Sequence, residues 1–175
     1  MDEAGEWLRN QAARSNVLAV GEAGLDKLTD TPWALQLIAF QRCVEISEAF
    51  QKPLLIHCVR SFAEIIALKK KWSPVQPWIF HGFDKNIQTA QMLLKEGCFL
   101  SFGAGILQSK HPAADVLRQI NADRFFLETD DTPIPIENIY QHASLVRAVS
   151  LEDLSIQLDD NFFKVFKQRF STPIQ

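Results

Sequence analysis

The sequence predicts an α/β protein, a parallel sheet with helices packed outside it. Three observations predict this. Along the 175 residues, short apolar runs alternate with longer segments of helical periodicity. The runs are apolar almost throughout, as strands buried on both faces are, rather than alternating apolar with polar. No glycine-rich G-x-G-x-x-G phosphate loop occurs, which would have favoured a doubly wound sheet. Gly103-Ala104-Gly105 is only a fragment of one and reads as a tight turn. A doubly wound sheet and a barrel are both compatible with the pattern.

Taken in order, Ala4, Trp7 and Leu8 have the spacing of an opening helix, and Val17–Gly21 has the pattern of a buried strand. Thr31 and Pro32 form an N-cap and first-turn pair for a helix reaching about Phe50. Pro53–His57 is the second strand. Ser61 and Glu64 make a capping box for a helix to about Trp72. The third strand is Pro77–His81, followed by a helix from about Ile87 to Glu96 with Gly97 suited to its C-cap. Cys98–Phe102 is the fourth strand, and Pro112 starts a helix ending near Ile120. Arg124–Thr129 is the fifth strand. A helix from Ile136 to Val149 follows, then one opened by Ser150 and Asp153 that ends near Phe166. No linker or low-complexity tract interrupts this order, so a single domain over residues 1–175 is expected.

Four of the five strands deliver a metal-ligand side chain at or just beyond their C-terminal end: Glu22, His57, His81 and Asp130. In a barrel of parallel strands those ends share one face, and active sites lie there. Two imidazoles and two carboxylates suit a divalent ion such as Zn²⁺ or Mn²⁺, whereas an all-oxygen Mg²⁺ site would not need the histidines. Taken singly, each has a plainer reading. A histidine ending a strand can be a packed side chain, Glu22 a surface carboxylate and Asp130 a helix cap. Four such coincidences on successive units favour the metal. His111, in a loop, and His142, within a helix, read as structural or solvated, and Cys58 as a small buried residue. Lys69-Lys70-Lys71 reads as an exposed helix end whose cations suit the macrodipole.

The bulk properties set the class. Hydrophobic residues are 47% and charged residues 22%, with net charge −3, so no broad basic surface advertises nucleic acid. Bound cations could supply that charge locally. Cys43, Cys58 and Cys98 are too few and too scattered for a disulfide framework or a zinc finger, which points to reduced thiols and a cytoplasmic setting. The acidic N-terminus has no signal-peptide core, and no apolar stretch is long enough to span a membrane.

Several motifs carry a resemblance to a known family. Gly21-Glu22-Ala23-Gly24-Leu25-Asp26 resembles the G-E-x-G-L-D signature of the TatD deoxyribonucleases. Gln36 and Phe40 are similar to the Q-x-x-x-F of its next helix, and Pro53–His57 to the strand ending in a ligand histidine. His81-Gly82-Phe83 resembles its H-x-F, Leu127-Glu128-Thr129-Asp130 its L-E-T-D followed by a proline here at Pro133, and Asn161 with Phe166 its closing N-x-x-x-x-F. The resemblance covers about Val17 to Phe166. It implies a TIM-type (β/α) barrel, two divalent metals at its mouth and hydrolysis of DNA phosphodiesters, 3'-5' exonuclease-like, by metal-activated water. By that resemblance Glu22 bridges the ions, His57 and His81 complete one site, and Asp130 belongs to the other and orients or deprotonates the water. Arg60 and Lys85 become candidates for phosphate contact, with a loop salt bridge as the alternative. Asp26 becomes a loop-capping or outer-sphere group.

The departures are informative. The family's opening H-x-H-x-D strand is absent, and only five strands are counted where a full barrel has eight, so an N-terminally incomplete barrel of about five to six strands is expected. The Glu22, His57, His81 site can then hold one ion, while the second lacks its histidines. Arg60 stands one place later than in the family's H-S-R, and Asp131 replaces a small residue. Hydrolysis of esters or amides, such as aminoacyl nucleic acid, and a catalytically impaired scaffold are the alternatives.

Overall fold

The computed structural model describes residues 3–108 and 110–168. Five strands form a parallel sheet in the chain order β1-β2-β3-β4-β5, flanked by helices. The chain divides into two compact units, Met1–Phe80 and His81–Gln175.

The first unit contains α1 (Glu3–Ala12), β1 (Val20–Asp26), α2 (Trp33–Phe50), β2 (Leu54–Val59), α3 (Phe62–Trp72) and β3 (Trp78–Phe80). β1 pairs with β2 and β2 with β3, all parallel. Leu25, Phe40, Leu54, Ile56, Ile65 and Trp78 are fully buried, each stabilising the fold by about 1.5–3 kcal/mol. Phe40 meets Trp78 edge-on at 5.5 Å, which fixes α2 against the sheet. Lys69, in the last turn of α3, stands 4.7 Å over the Trp78 ring.

Three expectations are corrected here. β1 begins at Val20 rather than Val17 and runs to Asp26, because pairing with β2, not apolar composition, sets its limits. Thr31 does not cap α2. Pro32 occupies the N-cap without a side-chain bond, and the Thr31 carbonyl instead accepts from Gln36 Nε2 at 2.8 Å. Ser61 occupies the N-cap of α3 but makes no cap bond, because its buried hydroxyl donates to the Leu25 carbonyl of β1. The opening helix forms as its spacing indicates, yet Trp7 on it is 63% exposed.

The second unit contains α4 (Ile87–Lys95), β4 (Phe99–Phe102), α5 (Pro112–Gln119), β5 (Phe125–Leu127), α6 (Ile136–Arg147) and α7 (Leu151–Phe166). β4 and β5 pair in parallel, Leu100 opposite Phe125. Its core is aromatic: Phe102 meets both Phe83 and Phe125 edge-on. Ser150 caps α7 as its sequence indicates, accepting from Asp153 N at 3.0 Å. Gly97, with φ 76°, follows α4 in the left-handed conformation expected of a glycine there. Gly103-Ala104-Gly105 leads into the 3-10 turn Ala104–Leu107. His111 is a cap: its Nδ1 accepts from Ala113 N at 3.3 Å at the start of α5. Buried Asn161 donates to the carbonyls of Ala122 at 2.8 Å and Phe125 at 2.9 Å, and Phe166 packs on Phe162 and Phe126. The closing motif thus pins α7 to the approach of β5.

Candidate metal centre

In the first unit, Val20 pairs with Leu54 but Ala23 with Ile56, so β1 carries an extra residue at Gly21-Glu22. Such a bulge turns a side chain out of the pleat. Glu22 is accordingly exposed, together with Gly21, while Val20, Ala23 and Leu25 of the same strand are buried. Glycine is required on both sides of it. Gly21 has φ 147°, and a Cβ there would stand 2.7 Å from the Leu55 carbonyl oxygen. At Gly24 a Cβ would stand 2.2 Å from the carbonyl oxygen of His57, its register partner. The glycines of the G-E-x-G motif therefore seat β1 against the strand that carries His57. Glu22 and His57 both lie inside their strands, which run on to Asp26 and Val59, rather than at the ends the sequence assigned them.

Asp26 closes this arrangement. Its Oδ1 accepts from Leu28 N at 2.7 Å, turning the loop, and its Oδ2 stands 3.8 Å from His57 Nε2, an electrostatic rather than a hydrogen-bonding distance. Gln36, nearly buried, grips the Asp26 backbone, accepting from its N–H at 2.8 Å and donating to its carbonyl at 3.0 Å. A cleft of about 640 Å³ opens here, lined among others by Glu22, Asp26, Gln36, Cys43 and His57. Burial pushes the Cys43 thiol pKa up, so it stays protonated. Cys58 is half-buried, its Sγ 3.4 Å from Ser61 Oγ.

In the second unit, His81 directly follows β3, whose last residue, Phe80, belongs to the first unit. The His81 side chain is only 12% exposed, with Nδ1 3.9 Å from both Glu128 Oε1 and Asp130 Oδ2. Sequence reasoning quoted Glu128 within a motif without giving it a role. Its two oxygens are both engaged, one by the Gly82 N–H and one by the Ser101 hydroxyl, on either side of the histidine loop. Asp130 is exposed and adopts φ 51° just past β5. Arg60, also left-handed at φ 54°, is exposed directly after β2. Lys85 pairs with its neighbour Asp84 at 2.6 Å, and Asp131 is exposed. His142 lies half-buried on α6.

Glu22 and His57 belong to the first unit and His81 opens the second, a group of one carboxylate and two imidazoles. Such a donor set suits a divalent ion of borderline softness. Asp130 is not within that group.

A family profile described as TatD related DNase matches residues 1–167. The chain belongs to the TatD-related DNase family. This TatD-family chain is 27% identical to the metal-dependent hydrolase YcfH of Escherichia coli K12, over 92% of its own length and 67% of YcfH. It is 32% identical to the 3'-5' ssDNA/RNA exonuclease TatD of Cronobacter turicensis, over 74% of its own length, and spans 51% of that protein. The crystal structure of the E. coli TatD homologue YJJV superposes with a TM-score of 0.87 at 21% identity, covering 96% of this chain and 71% of that one. The fold is therefore that of TatD-type structures, a parallel sheet flanked by helices, and the family is one of metal-dependent hydrolases. Among the described residues, no helix is long and apolar enough to cross a membrane.

Proposed function

We propose that this chain, acting as one hydrolase domain, binds a divalent cation through Glu22, His57 and His81 and cleaves phosphodiester bonds of DNA. The observation that carries the reading is the donor set of one carboxylate and two imidazoles, with Glu22 and His57 lining one cleft of the first unit. The exonuclease name of a 32% identical relative supports the nucleic-acid substrate. A bound divalent ion would supply Lewis acidity toward a phosphoryl oxygen and make water a stronger acid. The protein's own groups do the rest. Asp130, beside His81, accepts the proton of the attacking water. Asp26 and Glu128 are the carboxylates standing beside the two imidazoles, His57 and His81 respectively. Arg60 contacts the phosphate, and Lys85 does so when it exchanges Asp84 for substrate.

The test is direct. Protein loaded with Zn²⁺ or Mn²⁺ should shorten end-labelled single-stranded DNA and leave simple carboxylic esters intact. The reverse preference would replace the nuclease reading with ester hydrolysis. His57→Ala and His81→Ala should each lower bound metal severalfold, measured by elemental analysis after dialysis, while circular dichroism stays unchanged. Full metal content in either variant would remove that histidine from the site.

A further inference from the structure

Beside the cleft of Glu22 and His57, in the same unit, lies a second concavity of about 460 Å³, lined by Asp26, Lys27, Thr29, Thr31, Trp33 and Glu64. The two share Asp26, Thr29, Thr31 and Gln36, so they are continuous. Trp33, the first residue of α2, is only half-buried, unlike Phe40 on the same helix, which is completely buried. The concavity it lines also carries the Thr29 and Thr31 hydroxyls, the Asp26 and Glu64 carboxylates and the Lys27 ammonium. Lys27 Nζ is 5.8 Å from the Trp33 ring centroid and also pairs with Glu64, whose carboxyl pKa is held down by that hydrogen bond. A part-exposed indole in a concavity lined by polar groups, with an ammonium that can move from over the ring, suits a planar ligand with polar edges.

We propose that this second concavity receives the base of the nucleotide adjoining the phosphodiester at Glu22 and His57, stacked on Trp33, with Lys27 turned to the flanking phosphate. The inference rests on the nuclease reading above and adds a base subsite to it: a base free of a duplex partner can present its face to the indole. Stacking is sequence-tolerant, because every base has a π-face.

The test uses the full chain with metal. Pentathymidylate with phosphorothioate linkages, which resist cleavage, is compared with the abasic pentamer of equal charge by fluorescence anisotropy. Wild type should bind the thymidylate at least about fivefold more tightly. Trp33→Ala should bind both probes alike, at the abasic affinity, and Trp33→Phe should retain most of the preference. Trp33→Phe and Trp33→Leu also serve if the alanine variant fails to fold, with the leucine variant expected to lose the preference. Equal binding by wild type, no binding of either probe, or a preference that survives Trp33→Ala overturns the base subsite, and the cleavage assay judges the nuclease reading separately. A Trp33-dependent preference without cleavage of unmodified DNA sinks the nuclease reading instead and leaves a nucleotide-binding site.

Discussion

The two units hold their candidate ligands by different physical means. In the first, Glu22 and His57 are set by backbone approach: β1 comes so close to β2 that only hydrogen fits at Gly21 and Gly24. In the second, Glu128 and Asp130 both stand 3.9 Å from His81, and Glu128 also ties the Gly82 N–H to the Ser101 hydroxyl. Steric positioning tolerates no added atom, whereas polar positioning tolerates changes of shape but not of charge or hydrogen-bonding capacity. Substitutions can therefore tell the two apart.

The largest effect is expected at Gly24. A methyl group there would collide with the His57 carbonyl oxygen at 2.2 Å and its Cβ at 2.7 Å, both fixed by the β1–β2 register. Gly24→Ala should lower stability by about 3 kcal/mol or more and abolish metal binding. Gly97→Ala is the control: its Cβ would meet nothing within 4 Å, but φ is 76°. It should cost only about 1–2 kcal/mol, from backbone conformation alone, and leave metal binding intact. Denaturant titration checks both. Equal losses would mean the close approach at Gly24 does not position the site.

Glu128→Gln probes the other mode. The amide keeps the shape and can still accept from Gly82 N, but it removes the charge beside His81 and puts an NH₂ where an oxygen accepts from Ser101. Metal affinity should fall about 10- to 100-fold, with a smaller change in melting temperature than Gly24→Ala produces. Isothermal titration with Zn²⁺ measures the first quantity. An unchanged affinity would leave Glu128 a purely structural brace.

This contrast also explains how much could be read beforehand. The alternation of apolar runs and helical segments located all five strands, since burial on both faces leaves a local signature. His57 and His81 stood out because a histidine beside an apolar run is a local anomaly. The bulge at Gly21-Glu22 was not legible, because register is a property of two strands and Leu54–Val59 is remote in sequence. Ser61 has the spacing of a capping box, yet its hydroxyl finds the Leu25 carbonyl 36 residues away. Gln36 and Glu128 sat inside recognised motifs without roles. Their partners, the Asp26 backbone and the Gly82–Ser101 pair, become neighbours only once the sheet has formed.

The smallest effects sharpen the comparison within the second unit, where one turn, Ala122–Arg124, is held twice. Asn161, 1% exposed, donates to the carbonyl of the turn's first residue, Ala122, and to that of Phe125 just after the turn. Asp123 is bound from outside by Lys164 at 2.6 Å, with both side chains nearly half exposed. Asn161→Ala leaves buried carbonyls without their donors and should cost about 2–3 kcal/mol. Asp123→Asn should cost less than about 1 kcal/mol, since water screens an exposed pair. Its pH dependence has a definite sign. The hydrogen bond from Lys164, aided by the charges of Lys164 and Arg124, holds the folded Asp123 carboxyl below its ordinary range. The ion pair's stabilisation is then fully present above about pH 5 and is lost as pH falls through the folded carboxyl's titration. Melting temperatures of wild type and Asp123→Asn should differ slightly at neutral pH and converge in acid. A gap that stays constant down to pH 2 would mean that the pair contributes through packing rather than charge.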